Sequence, residues 1–396
     1  MTGTSGQAPP ARLLWGVFVL ALLARLAWQL AVGTPADWPD TALYIADGNG
    51  LFTAGRSVSD RYMPLYPVLI HLAGPDGVLW LQAVLSAATA VLVALLAFQL
   101  SGSAAAAGIG GLFAALNPVL IFYADMRLTE TLFSALLTGA LVAFYGRRWG
   151  LGALLLVLGI LTRPAVDLIA PLLVLSFCLV HGEWGWRPVV RRLGLYAVIY
   201  AGLMAPWWLH NLHAYGSFVR LDLGDGIVMR LENNPLFDRV GLDFPALGPV
   251  TGAFDHLEPV AANAARKAAA LAYITAQPAH YLERCLERFA RFWTPLPGSA
   301  KAAVNLLAAA AILPVFLGAF VALARAEARQ WRRLLPVVLI VLYLTAVHSA
   351  FHALPRYRLP LDPLLMAVAA GWYATLLKRR RAGHASGPAK YPICSD

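Results

Sequence analysis

Long apolar runs separated by short polar segments make up most of this 396-residue chain. A run of about 20 apolar residues can cross the hydrocarbon core of a bilayer as a single helix. The pattern predicts such spans at residues 13–32, 78–100, 104–122, 131–145, 193–209, 302–322, 334–351 and 359–377. The chain is therefore predicted to be an all-α polytopic membrane protein.

One further apolar stretch, residues 151–180, is interrupted by Arg163 and Pro164. It could form one long tilted helix or two short ones. Proline disfavours a helical conformation in the residue before it, and arginines flank the stretch at 147–148 and 187–192. Because basic residues gather on the cytoplasmic side of a membrane, we predict two short spans that return the chain to that side. The total is then about ten transmembrane helices, with both termini cytoplasmic.

The charged residues divide between the two sides of this topology. The opposite side collects the acids Asp37, Asp40, Asp47, Asp60, Asp76, Asp125 and Glu130. The predicted cytoplasmic segments hold few acids and many basic residues, namely Arg12, Arg147, Arg148, Arg187, Arg191, Arg192, Arg325, Arg329, Arg332, Arg333, Lys378, Arg379, Arg380 and Arg381. This division predicts a cytoplasmic N-terminal tail at 1–12, a transmembrane domain at 13–377 and a basic cytoplasmic tail at 378–396. The expected location is the plasma (inner) membrane.

The composition supports this class of protein. Hydrophobic residues make up 59% of the chain and charged residues 13%, whereas a soluble domain carries roughly 25% charged residues. A soluble enzyme is therefore excluded. Cytoplasmic anchoring explains the net charge of +10, so no nucleic-acid partner is expected.

Two hydrophilic segments lie on the extracytoplasmic side of the predicted topology. The first outer loop covers residues 33–77, and the second outer loop covers residues 210–299. The second is too long for a simple connection. Its later part, residues 257–293, is rich in alanine and in charged residues spaced among apolar ones, which predicts helices that lie on the membrane surface.

Asp40, in the first outer loop, is the first candidate for chemistry. A carboxylate at a membrane edge can act as a general base, but Asp40 could also cap a helix that begins at Thr41. In such a helix Asp40 and Tyr44 would share one face, since residues four apart are neighbours.

Aromatic and polar residues at the membrane boundary are candidates for substrate binding. Arg61, Tyr62 and Tyr66 suit a sugar or headgroup pocket, and they equally suit an interfacial aromatic belt. Trp207 and Asn211 close the seventh predicted span.

Two charged residues lie at the edges of apolar spans. Glu130 would begin the fourth span, where the helix dipole stabilises an acid, but an acid there is costly unless it has a partner or a function. Arg163 lies between the two short spans and should pair with an anion. The candidate anions are Asp167, one turn further on, and a bound phosphate.

Arg356 and Arg358 fall on the outer side between two apolar spans, against the positive-inside trend, with Tyr357 between them. A phosphate-bearing lipid would explain both arginines, because a guanidinium group binds phosphate through two parallel hydrogen bonds. Pairing with Asp362 or with acids of the first outer loop would explain them as well.

Seven short motifs occur in the order seen in a known family. They are PDTALY (39–44), YMPLYP (62–67), LTETLF (128–133), LTRP (161–164), PW (206–207) with Asn211, YGSFV (215–219) and RYRLP (356–360). In these motifs the chain resembles the GT-C glycosyltransferases that use polyprenyl-phosphate sugars. The similarity is greatest to the glycosyltransferase family 39-like group of protein O-mannosyltransferases and lipid A aminoarabinose transferases. It implies a GT-C-like fold with an extracytoplasmic active site.

The resemblance also implies roles for individual residues. Asp40 maps to the catalytic base, and Glu130 or, less well, Asp125 maps to the second acid. The basic residues around the lipid phosphate map to Arg163, Arg356 and Arg358. The donor would be a sugar on a polyprenyl monophosphate, transferred with inversion to a lipid, glycan or protein acceptor. Aromatic residues suited to stack on the sugar or line a lipid groove are Tyr44, Tyr62, Tyr66 and Trp207.

Many family members carry two adjacent acids in the first outer loop, whereas Thr41 follows Asp40 here. No cofactor is therefore assigned, and a divalent metal stays open.

A polytopic transporter or flippase of a lipid-linked or anionic substrate is the alternative function, and a non-catalytic membrane scaffold is a third. Transporters often contain inverted repeats and charged or broken helices near the bilayer midplane. Here the charges gather at the outer edge, and no internal repeat is evident. The sequence also lacks a Walker-type phosphate loop and the GxSxG and HExxH motifs. These features argue against transport, and the resemblance implies a membrane glycosyltransferase that moves a hexosyl or pentosyl group.

Overall fold

A computed structural model describes residues 8–33, 37–299 and 301–385 of the chain. Regular secondary structure in these residues is entirely helical, which confirms the predicted all-α architecture. The α-helices are α1 (Ala11–Val32), α2 (Pro39–Thr53), α3 (Leu65–Ala73), α4 (Gly77–Ser101), α5 (Ala104–Ala115), α6 (Pro118–Ala124), α7 (Glu130–Tyr145), α8 (Trp149–Thr162), α9 (Ala170–His181), α10 (Trp186–Tyr215), α11 (Asp225–Leu231), α12 (Phe237–Val240), α13 (Gly248–Thr251), α14 (Pro259–Ala276), α15 (Pro278–Trp293), α16 (Ala302–Ala324), α17 (Ala328–Ala350) and α18 (Asp362–Ala385). Residues 1–7 and 386–396 of the two predicted tails lie outside the described part of the chain.

Helices occupy all of the predicted spans, although they differ in length. The helices α1, α4, α10, α16 and α17 are long and apolar enough to cross a membrane. The pair α5 and α6 adds a sixth candidate if the two are counted as one span bent by 54°. The apolar helices α7, α8 and α9 are shorter. The described residues thus hold five or six candidate spans, and the total of about ten remains a prediction.

The predicted break at Arg163 and Pro164 is confirmed. Helix α8 ends at Thr162, Arg163 has extended backbone angles (φ −146°, ψ 124°), and a short 3-10 turn, Pro164–Val166, leads towards α9. At 1.5 Å per residue, α7, α8 and α9 are roughly 24, 21 and 18 Å long, which is less than the ~30 Å hydrocarbon core. Groups at the outer ends of α7 and α8 are therefore expected to lie below the outer membrane surface.

The turns that carry the basic residues meet at one end of the bundle. Glu183, between α9 and α10, accepts hydrogen bonds from Arg147 (2.8 Å) and Arg192 (2.9 Å). Arg332, at the start of α17, donates to the Leu179 carbonyl (2.6 Å). These contacts join three turns that the sequence assigns to the same membrane side.

Helix α4 lies at the centre of the bundle, in contact with α1, α5, α7 and α18. Small buried residues such as Ala90 and Ala97 let neighbouring helices approach it closely. A β-carbon placed on Gly111 of α5 would lie 2.7 Å from a methyl carbon of Val17 in α1. The close crossing of α1 and α5 therefore requires glycine at this position.

Arg25 is a fully buried cation inside the apolar span α1. It donates hydrogen bonds to the carbonyl groups of Ala114 (3.0 Å) and Ala115 (2.7 Å) and to the Ser86 hydroxyl (2.9 Å). The two carbonyls lie at the end of α5, where Pro118 starts a new helix and leaves them without helical partners. Arg25 thus replaces the backbone donors that the bend between α5 and α6 removes.

The second outer loop contains the predicted helices at residues 257–293, now resolved as α14 and α15. On α15, Leu282, Leu286 and Phe289 are exposed, whereas Arg288 and Phe292 are buried. An exposed apolar face is typical of a helix that lies on a membrane surface, and this placement remains a prediction. Helix α10 continues six residues past its predicted end at 209 and stops at Gly216, which takes a left-handed conformation (φ +63°).

Asp222 makes the stability of the second outer loop depend on pH. Burial raises the pKa of this carboxyl from its ordinary value of 3.8 to about 7, although the Gly224 amide donates to it (3.0 Å). The folded chain then holds the proton at a higher pH than the unfolded chain does, so stability falls as the pH rises from about 4 to about 7. We expect Asp222→Asn to raise the thermal midpoint by a few degrees at pH 8 and to leave it unchanged near pH 4. Equal shifts at both pH values, measured by thermal melts in detergent, would contradict this explanation.

Candidate active site

Asp40 lies in the first turn of α2 and makes no capping hydrogen bond. The capping alternative is wrong because the helix begins at Pro39, which supplies the fixed backbone angle of a helix start. The Asp40 carboxylate instead accepts hydrogen bonds from the Tyr62 hydroxyl (2.9 Å) and from Arg356 (2.5 Å). It is 27% exposed, so a ligand can still reach it.

Glu130 is the first residue of α7, as predicted, and its side chain is 2% exposed. Its Oε1 atom accepts a hydrogen bond from Arg163 (2.8 Å), and the Arg356 Nε atom lies 3.7 Å from the same oxygen. Two guanidinium groups thus flank one buried carboxylate. The acid has the partner that its position in an apolar span requires.

Of the two anions considered for Arg163, Asp167 is not its partner. Because Arg163 is extended, the two side chains are not on one helical face. Asp167 accepts a hydrogen bond from Tyr200 (2.6 Å) and pairs with Arg220 (2.5 Å). Arg163 is therefore available to Glu130.

Aromatic rings hold the two arginines in place. The guanidinium carbon of Arg163 lies 4.9 Å from the ring centre of Tyr357, and that of Arg356 lies 5.5 Å from the same ring. Arg356 also lies 4.8 Å from the ring centre of Trp38. Cation–π contacts of this kind are strengthened where water is excluded. Tyr357 therefore joins the two cations into one group.

Three of the predicted aromatic residues form a wall beside Asp40. The ring centre of Tyr44 is 4.4 Å from that of Tyr62 and 5.1 Å from that of Tyr66. Burial and, after it, the nearby Asp40 charge raise the pKa of Tyr44 and of Tyr62. Both phenols thus stay protonated, and Tyr62 keeps the hydrogen that it donates to Asp40.

The site contains buried polar atoms without hydrogen-bond partners among the described residues. They are the Nε and Nη1 atoms of Arg356 and the Oε2 atom of Glu130. Burial lowers the pKa of Arg356, but the charges of Glu130 and Asp40 outweigh it and raise that pKa. Arg356 is therefore a fixed cation with two spare donors, which is what an anionic ligand needs.

Arg358 has mainly structural contacts. It pairs with Asp362 (3.0 Å), as one alternative predicted, and donates to the carbonyl groups of Phe292 (3.2 Å) and Thr294 (2.5 Å). It still reaches the site from one side. A small crevice is lined by Arg356, Arg358 and residues 294–297, among others.

The remaining predicted site residues lie apart from this group. Trp207 and Asn211 donate hydrogen bonds to the Leu221 carbonyl (2.7 and 3.1 Å) and so hold the chain after α10. Asp125 is buried beside Gln29 of α1. The binding roles predicted for these residues remain predictions.

Arg61 also stays a predicted binding residue. It is half-buried, and within the described part of the chain its guanidinium group donates no hydrogen bond.

No group of three or more His, Cys, Asp or Glu residues suited to a metal ion occurs within residues 8–33, 37–299 and 301–385. The two acids of the site, Asp40 and Glu130, each face an arginine. Two carboxylates already paired with two cations are a poor donor set for a divalent metal. The site residues do not fit such an ion.

Two residues of the site were missed by sequence reasoning. Trp38 contacts Arg356, and its position two residues before Asp40 was the available signal. Gln82, inside α4, accepts from the Tyr66 hydroxyl (2.8 Å) and donates to the Met126 carbonyl (2.7 Å). A polar amide side chain within an apolar span was the only sign of it.

No protein-family model and no curated protein matches this chain. Among solved structures it is similar to the archaeal oligosaccharyltransferase AglB from Archaeoglobus fulgidus in complex with an inhibitory peptide and a dolichol-phosphate, with a TM-score of 0.57 and 14% identity. The apo form of the Archaeoglobus fulgidus oligosaccharyltransferase gives a TM-score of 0.55, also at 14% identity. Each match covers 96% of this chain and 52% of the other, so the chain spans about half the length of these proteins.

A third similar structure is ArnT from Cupriavidus metallidurans bound to undecaprenyl phosphate. It has a TM-score of 0.46 and 15% identity over 94% of this chain and 79% of that one. The two oligosaccharyltransferase structures confirm the GT-C-like fold that the motifs predicted.

Proposed function

We propose that this chain is a membrane glycosyltransferase that moves a hexosyl or pentosyl group from a polyprenyl-phosphate donor to an acceptor hydroxyl. The observation that carries the proposal is the meeting of Asp40, Glu130, Arg163 and Arg356, which come from four separate segments of the chain. The predicted topology puts this group at the extracytoplasmic face of the plasma (inner) membrane. The acceptor is a hydroxyl of a lipid, glycan or protein.

Arg356 is the proposed anchor for the donor phosphate. Its Nε and Nη1 atoms are buried donors without hydrogen-bond partners in the part of the chain that the structure describes, and a phosphate oxygen satisfies such donors with short, charge-assisted bonds. Arg163 brings a second positive charge to the same ring of Tyr357. A lipid phosphate in the AglB structure, described there as a dolichol-phosphate, supports a ligand of this class in this fold.

The proposed reaction is a single displacement. The acceptor oxygen attacks the anomeric carbon, the bond between that carbon and the phosphate oxygen breaks, and the configuration inverts. Asp40 takes the proton of the attacking hydroxyl, as a general base. The electron pair leaves with the polyprenyl phosphate, whose growing negative charge is stabilised by the preorganised guanidinium groups of Arg163 and Arg356.

The pair between Asp40 and Arg356 (2.5 Å) links donor binding to this chemistry. A phosphate at the Nε and Nη1 atoms of Arg356 shares the positive charge with the Asp40 carboxylate, which is bonded to Nη2. With part of that charge neutralised, Asp40 accepts a proton more readily, while Tyr62 still orients it through its other oxygen. The proposal therefore orders the reaction: the donor binds first, and the acceptor is activated afterwards.

The short helices give this site a depth suited to a lipid substrate. Glu130 and Arg163 lie at the outer ends of α7 and α8, which are roughly 24 and 21 Å long. A lipid phosphate can reach such a site from the membrane while its tail stays in the bilayer. Diffusion within the bilayer then brings the donor to the site.

Purified protein in liposomes, given radiolabelled polyprenyl-phosphate sugars and cell-envelope lipids, glycans or peptides, tests this function. A transferase is expected to release polyprenyl phosphate and to label an acceptor. Movement of the intact lipid-linked sugar across the bilayer without cleavage would instead identify a flippase and overturn the proposal.

A further inference from the structure

We propose that Glu232 is a positioning residue that fixes Arg356 for the lipid phosphate. Glu232 directly follows α11 in the second outer loop, and its side-chain contacts do not include Asp40 or Glu130. The proposal rests on the proposed function for the role of Arg356. Its structural part, that Glu232 holds the segment before Arg356, can be tested without a substrate.

Glu232 is the centre of a buried ionic cluster. Its side chain is 0% exposed, as is that of Arg288, which donates to its Oε2 atom (3.2 Å) and its backbone carbonyl (3.1 Å). Arg291 lies 3.0 Å from both carboxylate oxygens. The His352 ring is hydrogen-bonded to Oε1, and the Ala353 amide also donates to it (3.4 Å).

These contacts join three distant parts of the sequence. The cluster holds the end of α11, the helix α15 and the segment at residues 350–354, which directly precedes Arg356. The same arginines of α15 also bond this segment through its backbone: Arg288 donates to the Ala350 carbonyl (2.8 Å) and Arg291 to the Ala353 carbonyl (3.2 Å). The carboxylate thus holds both arginines where they bind the segment.

A ring contact connects the cluster to the active site. The ring centre of His352 is 5.5 Å from that of Tyr357, and Tyr357 is the ring shared by Arg163 and Arg356. The segment that carries Arg356 is therefore fixed at His352 and Ala353 on one side and at Tyr357 on the other. A shift of this segment would move the guanidinium group directly.

Charge explains why an acid is needed at this place. Burial raises the pKa of Glu232, but His352, Arg291 and Arg288 outweigh this effect and lower it to about 2. The carboxylate is thus ionised at any physiological pH. It is the one acid in direct contact with both Arg288 and Arg291 among the described residues. Without its charge these two guanidinium groups repel each other and no longer hold the segment.

The first test measures the segment itself. In Glu232→Gln, amide hydrogen exchange of residues 350–358 should become faster by about tenfold or more. The matched control is Asp238→Asn, because Asp238 contacts Arg284 of the same helix α15 (2.9 Å) but not the 350–358 segment. Unchanged exchange in Glu232→Gln would overturn the structural part of the proposal, whatever the protein does to a sugar.

The second test is a double-mutant cycle on donor use. Glu232→Gln should raise the donor KM by about 10- to 100-fold, and Asp238→Asn should leave it unchanged. Because Glu232 acts through Arg356, the Glu232→Gln and Arg356→Gln double variant should match Arg356→Gln alone. Additive effects in the cycle would show that Glu232 acts elsewhere and would overturn the proposal.

Two further measurements distinguish a failure of this proposal from a failure of the variant to fold and from a failure of the proposed function. If Glu232→Gln fails to fold, the paired variant Glu232→Leu with Arg288→Met replaces the ionic contact by an apolar one. The folded paired variant should show the same faster exchange and the same raised KM, and normal values for both would overturn the proposal. If wild-type protein binds no polyprenyl phosphate, the proposed function fails, and the exchange data still decide whether Glu232 fixes the segment.

Discussion

Asp40→Asn is expected to abolish sugar transfer, with a fall in kcat of about 10²- to 10⁴-fold, while the fold stays intact. Asparagine has nearly the same shape and keeps an oxygen for the Tyr62 hydroxyl, but it cannot accept the proton of the acceptor. It also competes less strongly for Arg356, since a neutral amide attracts the guanidinium group less than a carboxylate does. Polyprenyl phosphate should therefore bind this variant at least as tightly as it binds wild-type protein.

Asp37→Asn is the matched control for this change. Asp37 lies three residues earlier in the sequence, its side chain is 60% exposed, and it pairs with Arg127 (2.8 Å) rather than with the site. Radiolabel transfer and phosphate binding should be measured together. Full transfer by Asp40→Asn would remove Asp40 as the base, and lost phosphate binding would show that its main role is to hold Arg356.

Arg356→Gln is expected to lower kcat/KM for the donor by about 10- to 150-fold, since a hydrogen bond to a charged group contributes roughly 1.5–3 kcal/mol. The loss should appear in both the donor KM and kcat, because Arg356 binds the phosphate before the chemical step and stabilises its growing negative charge during that step. Arg356→Lys keeps the positive charge but lacks the planar pair of donors, so its loss should be smaller.

The control for Arg356 is Arg56→Gln, which removes an exposed arginine from the first outer loop. This variant should leave donor use unchanged. That result excludes a general loss of positive charge at the outer surface as the cause of the Arg356→Gln effect. Isothermal titration with a soluble short-chain polyprenyl phosphate gives the binding part directly. Equal affinities for wild-type protein and Arg356→Gln would contradict the assignment of Arg356 to the phosphate.

The sequence predicted the parts of the fold that follow from local pattern. Apolar runs mark helices whatever surrounds them, and Pro164 marks the break because proline restricts the residue before it. The sequence could not predict that Arg25 of α1 binds the bend between α5 and α6. A single arginine, Arg25, hardly changes the hydropathy of a 20-residue run, and its carbonyl partners lie about 90 residues away.

The sequence predicted which residues belong to the candidate site better than it predicted their contacts. Asp40 and Arg356 are 316 residues apart, and a topology can assign both to one membrane side without bringing them together. The alternative that paired Arg163 with Asp167 assumed helical spacing across a break that the same sequence indicated. Trp207 and Asn211 look like site residues because aromatic and amide groups at a membrane boundary serve loops and ligands alike.

The role of Glu232 could not be predicted from the sequence for a different reason. Its neighbours Asn233 and Asn234 give the segment the look of an ordinary polar loop, and its partners Arg288 and Arg291 are in a helix more than 50 residues later. Glu232 has a structural role because it is buried, and the burial of a loop residue depends on tertiary packing. A local sequence pattern does not predict such burial.

Arg25 has a consequence for biogenesis. A positively charged residue in the apolar part of a helix opposes insertion by roughly 2.5–3.5 kcal/mol, and α1 emerges from the ribosome long before residues 114 and 115 exist to receive it. During synthesis, α1 is therefore expected to stay beside the insertion machinery, with Arg25 hydrated, until α5 has been made. Helix α1 would then be among the last helices to take its final position in the bundle. Its late docking would be the step that stabilises the newly made chain.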